Sequence, residues 1–170
     1  MLVEHRAFPM RPQPVAGQPF TGTYREEGWR RCGRMSADDG VTFTPWPHPV
    51  MPGYSLPALE AAKCAAKQGD DVFERVHRAL FAAYFTRSLN IADPAVLAGI
   101  VGEVGVDLAR FNADLGTGFA REAVVADYEA AVTEHGVRAI PTVIFPETGR
   151  VLVGLADLGT YRAALEEAAG

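Results

Sequence analysis

The sequence predicts an α/β protein in which a long helical block separates a short N-terminal strand and helix from a C-terminal hairpin and helix. Three observations carry that reading. In residues 136–145 a proline, Pro141, heads a run of β-branched and aromatic residues, where a residue that cannot donate to a ladder belongs. Glu147-Thr148-Gly149 is turn text, and residues 151–153 supply an antiparallel partner for the strand predicted at 142–145. From Ser55 onward about eighty residues carry helical apolar spacing, punctuated by Gly69 and by Asp93-Pro94.

Each element has its own justification. Residues 2–8 read as a short strand that stops where Pro9 and Pro12 remove ladder donors. After a stretch rich in proline and glycine, Thr23-Tyr24-Arg25-Glu26 has the spacing of a capping box and predicts a helix over residues 24–35. Asp38-Asp39-Gly40 ends that helix, and residues 41–43 read as a short extended piece. Prolines 45, 47, 49 and 52 make the next eight residues a rigid extended loop. Ser55 is in the place of an N-cap, and Leu59, Ala62 and Ala66 share a face as far as Gly69. Asp70-Asp71 restarts the helix, whose apolar face is Phe73, Val76, Leu80, Phe81 and Tyr84. Asp93 before Pro94 is an N-cap followed by proline at the first helical position, opening a helix over 95–104. Val106-Asp107 begins another through Leu115, and residues 117–135 form the longest candidate, ended by Gly136.

Composition narrows the function classes. At 170 residues the chain fits one domain able to bury a core without disulfides, and 48% hydrophobic with 22% charged residues is ordinary globular composition. A net charge of −5 gives no footprint for a phosphate backbone, since the one basic cluster, Arg30, Arg31 and Arg34, is local. Nucleic acid is therefore not an expected partner. The N-terminal residues carry no leader pattern and no apolar run approaches a membrane span, so the expectation is a cytoplasmic protein with no membrane partner. Two cysteines fit a reducing compartment.

Taken together, the segment 3–12 (VEHRAFPMRP), residues 79–85 (ALFAAYF), residues 90–97 (NIADPAVL), Val104-Gly105-Val106-Asp107, Ile140-Pro141-Thr142 and Val153-Gly154-Leu155 resemble the DsbA family, and more narrowly its FrnE-like and 2-hydroxychromene-2-carboxylate isomerase-like members. The resemblance covers nearly the whole chain. It implies a single thioredoxin-like domain whose sheet is built from residues of about 1–40 and 117–170, with a helical insertion at about 55–116. It also implies a departure: in the family a first strand, a Cys-x-x-Cys or Ser-x-x-Cys motif and a first helix precede the segment that matches residues 3–10, and this N-terminal βα unit is missing from the 170 residues. The loss would leave residues 2–8 without their pairing strand, and unpaired buried backbone groups cost about 1–3 kcal/mol each.

The resemblance implies thiol–disulfide oxidoreduction, with a thiol- or disulfide-bearing peptide, or glutathione as substrate or co-substrate, as the partner and no resident cofactor. It also implies that Ile140, Pro141 and Thr142 bind substrate, with a cis proline offering the neighbouring backbone to an extended chain. The attacking residue is not in this pattern. Cys32, beside three arginines, is the one catalytic candidate among the thiols; its place toward the end of a helix sets the dipole against a thiolate. Cys64, between alanines, reads as core. His5, His48, His77 and His135 have no metal spacing, so no metal is expected. Phe73, Phe81, Tyr84 and Phe85, with Trp29 and Trp46, either line an apolar cleft or fill the core. Three readings follow: an oxidoreductase whose catalytic unit is missing or lost, a glutathione-dependent isomerase relative, and a non-catalytic binding module or homodimer that uses an exposed strand edge.

Overall fold

The computed structural model describes residues 3–170, apart from the side chain of Asp39. The chain forms two compact units, one extending to Ala126 and the other spanning Asp127–Gly170, so the division falls inside a helix.

In the first unit, β1 (Gln18–Pro19) pairs antiparallel with β2 (Val50–Met51), inside the loop expected to be merely extended. Gly53 lets the chain pass close beneath this ribbon, since a Cβ there would run into the Val15 carbonyl oxygen. Helix α1 (Tyr24–Met35) has the predicted bounds. The Thr23 hydroxyl accepts from the Arg25 amide, and Glu26 reaches back one residue further than a capping box requires, accepting from the Gly22 amide at 2.7 Å.

The helical block follows as α2 (Leu56–Ala66), α3 (Asp70–Phe81), a π turn (Ala82–Thr86), α4 (Pro94–Glu103) and α5 (Leu108–Gly116). Asp93 and Asp107 cap α4 and α5 by accepting from Ala95 and Arg110 amides. The core lies between these helices: Ala61, Cys64, Ala65, Val76, Ala83, Ile100, Val101 and Phe111 are all buried together. A second cluster, Phe20, Trp46 and Met51 with Trp29 and Tyr84 against it, packs the ribbon. The aromatic residues considered for a cleft thus divide. Trp46 is core and Tyr84 half-buried, while Phe81 is 54% exposed.

Three expectations fail in this unit. The face that α2 buries holds Ala58, Ala61, Cys64 and Ala65 and not Leu59, Ala62 and Ala66, the last of which is exposed. Residues 3–8 form no strand; Leu2, with which the predicted strand begins, lies outside the described residues. A strand needs a ladder partner, and no strand among the described residues pairs with this segment. Ser55 makes no side-chain cap; its hydroxyl accepts from the Arg11 amide at 2.9 Å and donates to the Arg11 carbonyl at 3.1 Å. It fastens the N-terminal segment instead of the helix.

Helix α6 (Phe119–Thr133) crosses the division between the units. The second unit then holds β3 (Thr142–Phe145), β4 (Arg150–Val153) and α7 (Leu158–Ala169). The hairpin register sets Thr142 opposite Val153 and Ile144 opposite Val151 on one face, with Val143, Leu152, Phe145 and Arg150 on the other. Helix α7 packs on β3, and Glu167 pairs with Arg150 at 2.9 Å.

Candidate functional site

The site predicted at Ile140, Pro141 and Thr142 is a single turn at the head of β3. Its approach is closed by the end of α6. The Val137 amide donates to the Ala131 carbonyl at 2.8 Å, the His135 amide to Ala130, and Gly136 between them takes φ +63°, a conformation that favours glycine. Val137 is buried beneath this cap, and Arg138, Ala139, Ile140 and Pro141 are exposed. The Ile140–Pro141 peptide bond is cis.

Two hydrogen bonds hold the turn. The Thr142 hydroxyl donates to the Ala139 carbonyl at 2.7 Å, and the Gly154 amide donates to the Pro141 carbonyl at 2.8 Å, which carries the β3–β4 ladder one step past its last paired residue. Among the described residues no hydrogen bond takes the Ile140 amide or carbonyl, and its side chain is 42% exposed. The arrangement presents one backbone unit at the head of β3 with both polar groups available, next to an apolar side chain. That is what an added peptide strand requires.

The thiols lie elsewhere, in the first unit, and both are free. Cys64 is fully buried in α2, and burial above all, helped by Asp114 and Glu60 against Lys67, pushes its pKa up to about 11. Cys32 is half-buried in the last turns of α1, where its carbonyl accepts from the Ser36 amide and hydroxyl at 3.0 and 2.9 Å. Of the three arginines read as possible activators, two are drawn to carboxylates: Arg30 to Glu26 at 2.6 Å and Arg34 to Glu27 at 3.5 Å. Among the described residues no three histidine, cysteine, aspartate or glutamate side chains are placed to hold a metal ion. No helix among them is long and apolar enough to cross a membrane.

Fold and turn together define a thioredoxin-like protein, mostly helical with little sheet. The family follows from the sequence match: residues 29–166 fit the model of the DSBA-like thioredoxin domain, and the chain belongs to that family. Its structure is also similar to the crystal structure of a "putative protein disulfide isomerase" from Nitrosomonas europaea, with a TM-score of 0.66 and 16% sequence identity over 91% of this chain and 78% of the other. At that identity the likeness speaks for the fold.

Sequence reasoning found the turn because Ile-Pro before a β-branched run is a local signal. It missed the π turn that presents Tyr84 and Phe85, and it missed the contact of His5 with His77, whose rings lie 4.8 Å apart although the residues are far apart in sequence.

Proposed function

We propose that this protein serves thiol–disulfide chemistry as a binding partner. In this reading the Ile140–Pro141–Thr142 turn holds an extended peptide that carries a thiol or disulfide, while the chain's own two thiols perform no exchange. The observation that supports it most directly is the Ile140 backbone, exposed and uncommitted beside a Pro141 carbonyl already fixed to Gly154. Membership of a family of thiol–disulfide oxidoreductases supports a thiol- or disulfide-bearing peptide as the substrate class. The burial of Cys64 and the position of Cys32 near a helix C-terminus argue against either as an attacking thiolate.

The test is a titration of the labelled protein, followed by backbone NMR, with a short cystine-bridged peptide and separately with glutathione disulfide. Expected are shifts confined to residues 139–143 on adding the peptide, at least tenfold weaker binding in Pro141→Ala, and no acceleration of insulin reduction. Shifts with glutathione alone would move the reading to the isomerase relatives. Turnover of insulin that survives in Pro141→Ala would overturn it.

A further inference from the structure

The ladder between β3 and β4 decides which backbone groups each edge of the hairpin offers. The Gly154 amide donates to the Pro141 carbonyl, so these two residues occupy a hydrogen-bonded position. Such positions alternate along an antiparallel pair. Val143 with Leu152 and Phe145 with Arg150 therefore bond inward, and the amides and carbonyls of Val151 and Val153 point away from β3. Among the described residues no other hydrogen bond takes them. Their side chains are in solvent as well, Val151 46% exposed and Val153 65%. Helix α7 packs on β3 and reaches β4 through Glu167 and Arg150, on the face opposite these valines. The outer edge of β4 carries none of the usual blunting devices: the strand holds no proline and no lysine, its register runs without a bulge, and its one charge, Arg150, is paired.

We propose that a second copy of this chain covers that edge. Two β4 strands pair antiparallel about a two-fold axis at Leu152 and join the hairpins into one continuous sheet. The register follows from the groups on offer. Val151 of one protomer meets the partner's Val153 and exchanges both backbone bonds with it, and the two-fold repeats the pair. Shifting the strands by two residues either way would set one valine opposite Gly149 or Leu155, both outside β4, so this register alone uses both valines within the strand. The side chains agree with it. The valines become cross-strand neighbours on the face away from α7, where β-branched pairs pack well. Arg150 falls opposite the partner's Gly154, so no like charges meet. The Ile140 turn lies on the other strand of the hairpin, and the pairing neither covers it nor depends on the peptide reading.

Two four-residue strands make a small contact, so the dimer is reversible, with a dissociation constant of about 0.1 mM. Amide hydrogen exchange of the full chain, resolved by NMR, reads the edge directly. The Val151 and Val153 amides should exchange about fourfold more slowly at ~1 mM protein than at ~10 μM, the factor by which the monomer fraction falls. The Leu152 amide, bonded to Val143, should be protected at both. Sedimentation over the same range should show monomer passing to dimer. Val151→Pro removes an outward amide and leaves the β3–β4 ladder whole, and Val153→Lys places a charge on the edge without changing the backbone. Both variants should remain monomeric at the higher concentration with Leu152 still protected.

A wild-type chain that is monomeric at ~1 mM would overturn the proposal, as would a dimer that both variants keep or one that protects Thr142 and Ile144 instead. Protection of Val151 and Val153 on adding the cystine-bridged peptide to dilute protein would give the edge to the peptide and overturn it too. Peptide shifts at residues 139–143 should be the same in both variants, which keeps the test of the turn separate.

Discussion

The thiol of Cys64 should be nearly inert toward alkylation, and the size of the effect can be worked from its surroundings. The side chain is fully buried in the helical core, and its pKa is pushed up to about 11 from an ordinary 9.0, first by burial and then by the Asp114 carboxylate. Only the thiolate reacts, so at pH 8 roughly one molecule in a thousand is competent at Cys64, against about one in ten for an unshifted thiol. That hundredfold deficit precedes any cost of opening the core to admit the reagent. In Cys32→Ser, iodoacetamide at pH 8 should therefore label Cys64 at least a hundredfold more slowly than it labels a free cysteine, as read by peptide mass spectrometry over time. Raising the pH from 8 to 9 should speed labelling about tenfold without a plateau. Labelling within tenfold of the free amino acid, or a plateau below pH 9, would refute the reasoning and make Cys64 a candidate redox centre.

Two further outcomes test the scaffold. Glu60 is 8% exposed on α2 and accepts from Arg121 of α6 at 2.7 Å, so Arg121→Ala, which leaves that carboxylate without its partner, should cost about 1–3 kcal/mol in urea unfolding. Asp157 caps α7 by accepting from the Thr160 amide and hydroxyl, bonds that hold its carboxyl below the usual range. Its contribution is therefore present above the ordinary value near 3.8 and is lost as pH falls through the lowered one. Asp157→Ala should be less stable than the parent at pH 7, the difference closing as both are taken into acid.

What could be read from the sequence was what neighbouring residues decide among themselves. Thr23 and Glu26 start α1, Asp93 before Pro94 starts α4, Gly136 stops the chain after α6, and Pro141 opens the hairpin; each is a capping or ladder rule that acts within a few residues. Pairings across long separations were not legible. Ser55 looks like an N-cap from its place before Leu56, yet Arg11, 44 residues away, takes its hydroxyl. Residues 2–8 have strand composition, but composition does not supply a partner. The π turn escapes for another reason: one extra residue in a helical turn leaves the apolar spacing of Leu80, Phe81 and Tyr84 almost unchanged.

The same division separates binding from chemistry. A turn that offers the Ile140 backbone needs only Pro141, the Thr142 hydroxyl and the Gly154 amide, all within fifteen residues of one another. An attacking thiolate needs a helix N-terminus or a neighbouring cation to hold its charge. Cys32 is far from the helix N-terminus: it is the ninth residue of the twelve in α1, its own carbonyl belongs to the C-terminal turn, and of the arginines beside it Arg30 and Arg34 are engaged by glutamates. A cysteine introduced at Thr23 would stand at the opposite end of the same helix, at its N-cap. If position in the dipole is what silences Cys32, the thiol at position 23 should alkylate faster than Cys32 at pH 7; equal rates for the two would mean that exposure, not the helix, sets their reactivity.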